Sequence, residues 1–246
     1  MIYFVTGNKA KWNELPPDCE YAQVEDVFGF LSKNNEVAVD TETTGLDAQT
    51  DDLICLQLGG FEEQFVIDTT TIDIRLFGEE LLTKTLLFQN AKFDLGFLYK
   101  YQIIPGDIYD TFLGESVLTM GRLNVGRGLD ALTLRYCGVE LDKSIRAEIQ
   151  REGLSARVIK YSADDVKFLG KIKEKQMQLL EEKNLLTAMS LDNKFVKVLA
   201  YVEFCGFKLD VDKWETKMKN DLEKLQYTKY IPVSYTHLTL PTNREV

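Results

Sequence analysis

Two carboxylates stand at the end of a short apolar run in VAVDTETTGL, residues 37–46. Residues two apart in a β-strand point to the same face, so a strand here would project Asp40 and Glu42 together. Adjacent carboxylates repel unless a cation lies between them, and Mg²⁺ or Mn²⁺ prefers such oxygen ligands. The D-x-E sequence therefore predicts half of a metal site, although the same pair taken alone also suits an exposed strand.

A third carboxylate occurs in QNAKFDLGFL, where Asn90 and Asp94 are four residues apart. At about 100° per residue, this spacing places both side chains on one face of a helix. Asp94 lies among large apolar residues, and an isolated buried carboxylate is costly, so it needs a partner. The alternative is a carboxylate that the dipole stabilises at the start of a helix.

The segment YSADDVKFL contains a second pair at helical spacing, Tyr161 and Asp165. On one helical face, Asp165 can bind a metal ion while the Tyr161 hydroxyl bonds to a water beside it. Asp164 is one residue off that face and is expected to point to solvent. The alternative is an ordinary amphipathic helix.

The elements that must position these residues begin with strands. EVAVDTE is predicted to form a strand, and DLICLQLGG and EEQFVID form antiparallel neighbours around a Gly-Gly turn. KTLLFQN is a further short strand, and it leads directly into the helix AKFDLGFLYKY.

From residue 110 onward the chain is predicted to be mostly helical. Asp110 is placed to cap one helix, and Gly138 to end another. An amphipathic pattern predicts one long helix over residues 155–185, and a later helix ends at Gly206. Strands followed by helices predict an α/β fold, a mixed sheet with helices packed on its faces.

The charge of the chain gives a weaker indication. A net charge of −10 over 246 residues argues against a nucleic-acid-binding protein, because phosphates are neutralised by lysine and arginine. The argument is weak for an enzyme that recruits metal cations, since a metal site must itself be acidic. A basic segment at 122–160 could face a phosphodiester backbone or solvent. Its basic residues are Arg122, Arg127, Arg135, Lys143, Arg146, Arg151, Arg157 and Lys160.

Several other classes of protein are disfavoured. No apolar run is long enough to span a bilayer, and the N-terminus lacks the pattern of a secretory signal, so we expect a soluble, cytoplasmic protein. The four cysteines are widely spaced and form no CxxC pair. With the single histidine, His237, they make a poor zinc site, and separate reduced thiols are expected.

The order and spacing of the three motifs resemble those of the DEDD exonuclease superfamily, and Tyr161 is typical of its DEDDy branch. The resemblance covers residues 1–185. TTGLD, DTFLGESVL and GVELDKS are similar to segments of the proofreading domain of family A DNA polymerases and of ribonuclease D. The resemblance implies a ribonuclease H-like fold and 3′–5′ exonuclease activity.

The resemblance also implies roles for individual residues. Two divalent ions, Mg²⁺ or Mn²⁺, would be bound by four carboxylates, with Asp40 bridging both ions. Tyr161 would orient the attacking water, with Glu42 as a second partner. The four carboxylates are Asp40, Glu42, Asp94 and Asp165. Thr44, Leu46 and Asn90 match positions that hold the terminal nucleotide in the family, and turn formation and packing are the alternative for these three.

The chain is predicted to contain three parts. Residues 1–185 form the exonuclease domain, and 186–230 form a helical segment that, in family A enzymes, leads toward a polymerase domain. Residues 231–246 shift in composition and are expected to be a non-native or disordered tail. The chain would then be an N-terminal part of a DNA polymerase I-type enzyme, because no polymerase palm or fingers follow.

The predicted substrate is the 3′ end of single-stranded DNA, processed by a monomer without a membrane partner. A ribonuclease D-like RNA exonuclease is the first alternative, because recognition of the 2′-OH cannot be inferred from the motifs. The second is an inactive domain that only binds a nucleic acid or serves as a scaffold. The third is an acidic α/β domain with another chemistry.

Overall fold

The computed structural model describes residues 1–15, 17–141 and 153–230. Its strands are β1 Ile2–Val5, β2 Cys19–Tyr21, β3 Glu36–Thr43, β4 Leu53–Gly59, β5 Gln64–Asp68, β6 Thr85–Phe88 and β7 Asp107–Asp110. Its α-helices are α1 Val24–Lys33, α2 Gly78–Leu82, α3 Ala91–Lys100, α4 Thr111–Leu118, α5 Leu129–Cys137, α6 Ala156–Lys167, α7 Leu169–Glu182, α8 Leu186–Cys205 and α9 Val211–Tyr230. Short 3₁₀ helices occur at Lys9–Glu14 and Ile74–Phe77.

Two predicted features fall wholly or partly outside the described residues. The tail at 231–246 lies outside them, and so does much of the basic segment, including Lys143, Arg146 and Arg151. None of the helices in the described part of the chain is long and apolar enough to cross a membrane.

The seven described strands form one mixed sheet in the order β2-β1-β5-β4-β3-β6-β7. The predicted antiparallel pairing of β4 and β5 is confirmed, and β3 pairs with β4 in the same sense. On its other edge, β3 runs parallel to β6, which runs parallel to β7. Strand β3 thus lies between the antiparallel and parallel parts of the sheet.

Strand β3 divides its side chains between two cores. Val37 and Val39 pack into one core with α1, α3 and α8, whereas Ala38 packs into another with α5 and α7. Since side chains alternate along a strand, Asp40 and Glu42 extend the Ala38 face. A bulge at Glu42/Thr43 interrupts the pairing with β4 at the end of the strand.

The predicted helix ends are found where the sequence places them. Asp110 caps α4 by accepting from the backbone N–H of Phe112 at 2.9 Å. Gly138 ends α5 in the left-handed conformation, with φ of 70°. Helix α8 ends at Cys205, and Gly206 follows it with φ of 64°.

One predicted helix is wrong in extent. The amphipathic pattern at 155–185 is two helices, α6 and α7, separated at Phe168. Phe168 has φ of −101° and ψ of −7°, is buried, and contacts Phe61 edge-on. The break allows α6 to cover β4 and β5 while α7 packs against α4 and α5. The sequence pattern continues across the break because both helices bury one face.

Five of the described strands and α-helices were not predicted from the sequence: β1, β2, α1, α2 and β7. The chain divides into two compact units, the first of residues 1–205 and the second beginning at Gly206. Helix α8 belongs to the first unit, since Val196 and Ala200 are part of its core. Helix α9 belongs to the second.

Candidate active site

A cavity of about 560 Å³ opens beside the end of β3. It brings together side chains from β3, α3 and α6, which are far apart in sequence. The predicted site residues that line it are Asp40, Glu42, Leu46, Asn90, Asp94, Tyr161 and Asp165. The three motifs therefore meet in one place.

Three of the carboxylates in the cavity form a tight group. Ligand oxygens of Asp40, Glu42 and Asp165 all lie within 4.8 Å of one another, and each residue is half-buried. Three negative groups at this distance repel one another unless positive charge is supplied between them. Oxygen donors so arranged suit a hard divalent cation, so the residues present fit the predicted metal.

Asp94 lines the same cavity but approaches it from α3. It is 2% exposed, and the Thr41 hydroxyl donates to its Oδ1 at 2.6 Å. Burial is the main cause that raises the pKa of Asp94 to about 7, and the hydrogen bond from Thr41 opposes it. Within the described residues, Asp94 is not part of the group of three.

Tyr161 and Asp165 lie one turn apart on α6, as predicted, and both line the cavity. Helix α6 begins at Ser155, whose hydroxyl accepts from the Val158 N–H at 3.4 Å. Tyr161 is buried and packs with Val158, and this fixes the direction of its ring. The phenol and the carboxylate therefore reach the cavity from a single rigid element.

The expectation that Asp164 points to solvent is wrong. Asp164 is half-buried, and burial raises the pKa of its carboxyl. Helix α6 packs against β3, β4 and β5, so the covered surface of the helix is wider than the face shared by Tyr161 and Asp165.

The loop after β3 holds two residues that were predicted to bind the terminal nucleotide. Leu46 lines the cavity and is 86% exposed. The Thr44 hydroxyl accepts from the Asp52 N–H at 2.9 Å, and Thr44 is not among the described residues that line the cavity. Thr44 thus closes the loop, which brings Gly45 so near Asp51 that a Cβ at Gly45 would lie 2.3 Å from that carboxylate.

Asn90 lies at the mouth of the cavity with φ of 69° and ψ of 55°, a left-handed conformation that is uncommon for a residue other than glycine. It occupies the N-cap position of α3, yet its side chain makes no capping hydrogen bond.

Further lining residues were missed by the sequence reasoning. Gln89 adjoins Asn90, and Phe112 follows the capping residue of α4. The Arg127 guanidinium lies over the Phe112 ring at 4.8 Å and donates to the Ser116 hydroxyl at 2.9 Å. The sequence feature that could have indicated this part of the cavity is Arg127, which lies in the basic segment beside a glycine-rich turn.

The sequence also matches a model of a protein family. The family is described as 3′–5′ exonuclease, of the DNA polymerase A type, and the match covers residues 19–181. The chain belongs to this 3′–5′ exonuclease family. Its domain is a nuclease, a hydrolase of phosphodiester bonds, and the predicted resemblance is confirmed.

Curated relatives include both DNA and RNA enzymes. The chain is 31% identical to DNA polymerase I of Aquifex aeolicus over 226 residues, which cover 82% of this chain and 38% of the relative. It is 30% identical to ribonuclease D of Granulibacter bethesdensis over 166 residues, 65% of this chain and 41% of the relative. The chain thus spans about two fifths of the length of these relatives.

Solved structures share the fold. Escherichia coli RNase D superposes with a TM-score of 0.65 at 22% identity, covering 81% of this chain and 51% of that one. Brucella melitensis NrnC with bound Mg²⁺ superposes with a TM-score of 0.62 at 21% identity, covering 83% of this chain and 93% of that one. The predicted ribonuclease H-like fold is confirmed.

Proposed function

We propose that this domain removes nucleotides from the 3′ end of single-stranded DNA by a reaction that uses two divalent cations, Mg²⁺ or Mn²⁺. The observation that carries the proposal is the convergence of Asp40, Glu42 and Asp165 in a cavity that also contains Asp94 and Tyr161. Support for DNA comes from the type of family matched and from the similarity to a DNA polymerase I.

In this proposal Asp40, Glu42, Asp94 and Asp165 would hold the cations. When bound, such ions supply positive charge at the scissile phosphate and favour the ionised form of a neighbouring water. Asp94 would act as a ligand in its ionised form, which the positive charge of bound cations would stabilise.

The remaining lining residues orient the reactants. The Tyr161 hydroxyl and the Glu42 carboxylate are hydrogen-bonding groups at the cavity wall, and they hold the attacking water in line with the phosphate. Leu46 is an exposed apolar side chain that packs against the terminal base, and the Asn90 side chain binds the same nucleotide. The high exposure of Leu46 supports this role, because a leucine left in water gains free energy when a base covers it.

The acidity of the chain is compatible with this substrate. The cations offset the carboxylates locally, so the net charge of −10 does not describe the cavity. Arg127 stacks on Phe112 and places a guanidinium beside the cavity. There its positive charge would attract the phosphates of a bound strand.

The test is trimming of a 5′-labelled single strand of DNA in Mg²⁺. We expect Asp40→Ala and Asp165→Ala to lower the rate by about 10²–10⁴-fold, since each removes a ligand oxygen. Asp164→Ala is the matched control, because Asp164 adjoins Asp165 on α6 but is not among the described residues that line the cavity. Equal rates in all three variants and the parent would overturn the site assignment. No trimming by the parent would favour an inactive binding domain.

An RNA substrate is a second candidate, and the 30% identity to a ribonuclease D favours it. DNA and RNA strands of the same sequence separate the two, because an RNA enzyme uses contacts to the 2′-OH. We expect a higher kcat/KM on DNA. A proofreading role further predicts faster trimming of a strand with a mismatched 3′ end than of a paired one, since a mismatched end is more often single-stranded and so matches the proposed substrate.

A further inference from the structure

The buried carboxylate of Asp110 binds two separate segments of backbone. It is 1% exposed. Its Oδ1 accepts from the N–H groups of Asn90 and Phe112, each at 2.9 Å, and its Oδ2 accepts from the N–H of Ala91, also at 2.9 Å. The bond to Phe112 belongs to the capping of α4. The other two join the end of β7 to the turn between β6 and α3.

The two extra bonds account for the unusual conformation of Asn90. Asparagine is among the best N-cap residues, and its side chain normally bonds to an N–H in the first turn of its helix. In α3 the Asn90 side chain does not do this, and the carboxylate of Asp110 satisfies the backbone N–H of Asn90 and of Ala91 instead. The left-handed backbone of Asn90 costs free energy, which these charged hydrogen bonds offset.

The result is that the Asn90 side chain is available at the cavity. Asp94 lies in the first turn of the same helix, one turn beyond Asn90, so its position depends on the same turn. A carboxylate that is not among the described lining residues therefore fixes the start of the helix to which Asn90 and Asp94 belong.

Asp110 is itself held from two directions. Strand β7 pairs with β6 so that Asp110 lies opposite Phe88. The backbone N–H of Asp110 donates to Oδ1 of Asn193, on α8, at 3.1 Å. Asp110 is thus held by the sheet and by a helix of the same compact unit. Aspartate has a short side chain, so the position of its carboxylate follows closely from that of its backbone.

We propose that Asp110 is a positioning residue of the exonuclease site, whose carboxylate clamps the β6–α3 turn so that Asn90 and Asp94 face the cavity. The inference rests on the proposed function of that cavity. It differs from a simple capping role, in which Asp110 would stabilise α4 and leave substrate and cation binding unaffected.

Asp110→Ser separates the two roles. Serine is as good an N-cap residue as aspartate, so the bond to Phe112 can be kept. Its single, shorter hydroxyl cannot bond to both Asn90 and Ala91. We expect the variant to lose thermal stability, because two N–H groups lose their acceptor. At a temperature where it is folded, we expect it to lower kcat/KM about 10–100-fold and to weaken Mn²⁺ binding in calorimetry.

Glu115→Gln is the matched control. Glu115 lies on α4, is as buried as Asp110, and accepts from Arg135 at 2.5 Å and from Tyr136 at 2.6 Å. Neither partner lines the cavity among the described residues. We expect this variant to lose thermal stability and to keep the kcat/KM and Mn²⁺ affinity of the parent at a temperature where both are folded.

If the serine variant does not fold, the same question can be answered with Asp110→Asn, by measuring its amide hydrogen exchange and its Mn²⁺ affinity. Asparagine keeps one acceptor oxygen, and we expect faster exchange at Ala91 together with a smaller loss of Mn²⁺ affinity. The inference would be overturned if the folded Asp110 variants had the same amide exchange rates, kcat/KM and Mn²⁺ affinity as the parent. Failure of the proposed function is recognised separately, because Asp40→Ala would then trim DNA as fast as the parent.

Discussion

The Thr41 hydroxyl donates a hydrogen bond of 2.6 Å to the Asp94 carboxylate and so joins β3 to α3 at the cavity. Thr41 alternates with Asp40 and Glu42 along β3, so it points to the opposite face of the sheet. The end of one strand therefore supplies two carboxylates on one face and a hydroxyl donor on the other. That donor stabilises a buried acid whose pKa lies near neutrality.

The first prediction concerns Asp94 in the metal-free protein. Burial raises the pKa of Asp94 to about 7, above the unfolded value of about 4. Between these values the native state holds a proton that the unfolded state has lost, so stability falls as the pH rises from 4 to 7. We expect Asp94→Asn to remove this loss and to raise the free energy of unfolding at pH 8 by about 2–4 kcal/mol.

The measurement is urea unfolding in a chelator at pH 4.5 and pH 8. The amide of the variant can still accept from Thr41, so the two proteins should differ little at pH 4.5. Asp165→Asn is the control, since Asp165 is only half-buried. A variant equally or less stable than the parent at pH 8 would contradict the raised pKa. DNA trimming should be lost in either case.

The sequence was sufficient to predict those pairs of site residues whose relative placement depends only on the regular geometry of a strand or a helix. The period of a strand places Asp40 with Glu42, and the period of a helix places Tyr161 with Asp165. It could not give the bonds of Asp110 to Asn90 and Ala91, because these bonds join segments about 20 residues apart. A capping residue looks the same in sequence whether it binds one N–H or three.

The missed elements also have a physical reason. Strands β2 and β7 have three and four residues, too few for a period of two to stand out. Strand β7 is held by pairing with β6, which is a tertiary contact. Phe168 continues the apolar pattern of its flanking helices, and the one glycine beside the break, Gly170, is also tolerated inside a helix, so the pattern alone predicts no interruption.

A second prediction concerns Leu46, which is 86% exposed and lines the cavity. Leu46→Ala removes little buried surface in the free protein, so the melting temperature should stay within about 1 °C of the parent. Loss of apolar contact with a base, on the order of 1–2 kcal/mol, should raise KM for single-stranded DNA by about 5–30-fold. Leu76→Ala is the control, an exposed leucine outside the described lining of the cavity. Equal KM values in both variants would place the terminal base elsewhere.

A third prediction uses two helical glycines with opposite surroundings. A Cβ at Gly114 in α4 would lie 2.6 Å from Oε1 of Gln176 and 2.8 Å from the hydroxyl of Tyr109, which bond to each other. Gly114→Ala should therefore separate buried polar partners and cost about 2–4 kcal/mol. At Gly170 in α7 a Cβ would meet nothing within 4 Å, so Gly170→Ala should stabilise by about 0.5–1 kcal/mol. Urea unfolding of both variants checks the signs, and a stabilised Gly114 variant would exclude the close packing of α4 on α7.

The last prediction concerns Asp68, a carboxylate at the end of β5 that is 0% exposed. Burial acts to raise its pKa, but hydrogen bonds from Thr70 and Thr6 and the ion pair with Lys11 outweigh burial and lower it. A lowered folded-state pKa means that the ionised form stabilises the native state at pH values above the unfolded pKa, about 4. That stability is lost as the pH falls through the folded pKa.

Asp68→Asn should therefore cost about 1–3 kcal/mol at pH 7 and flatten the acid limb of the stability curve below pH 4. Asp73→Asn is the control, because Asp73 also bonds to a basic residue, Arg75, but both side chains are exposed to solvent, where screening weakens the pair. Urea unfolding from pH 2.5 to pH 7 measures both variants. An acid limb as steep in Asp68→Asn as in the parent would mean that this buried carboxylate does not control acid stability. DNA trimming should be unchanged while the variant is folded, since Asp68 is not among the described residues that line the cavity.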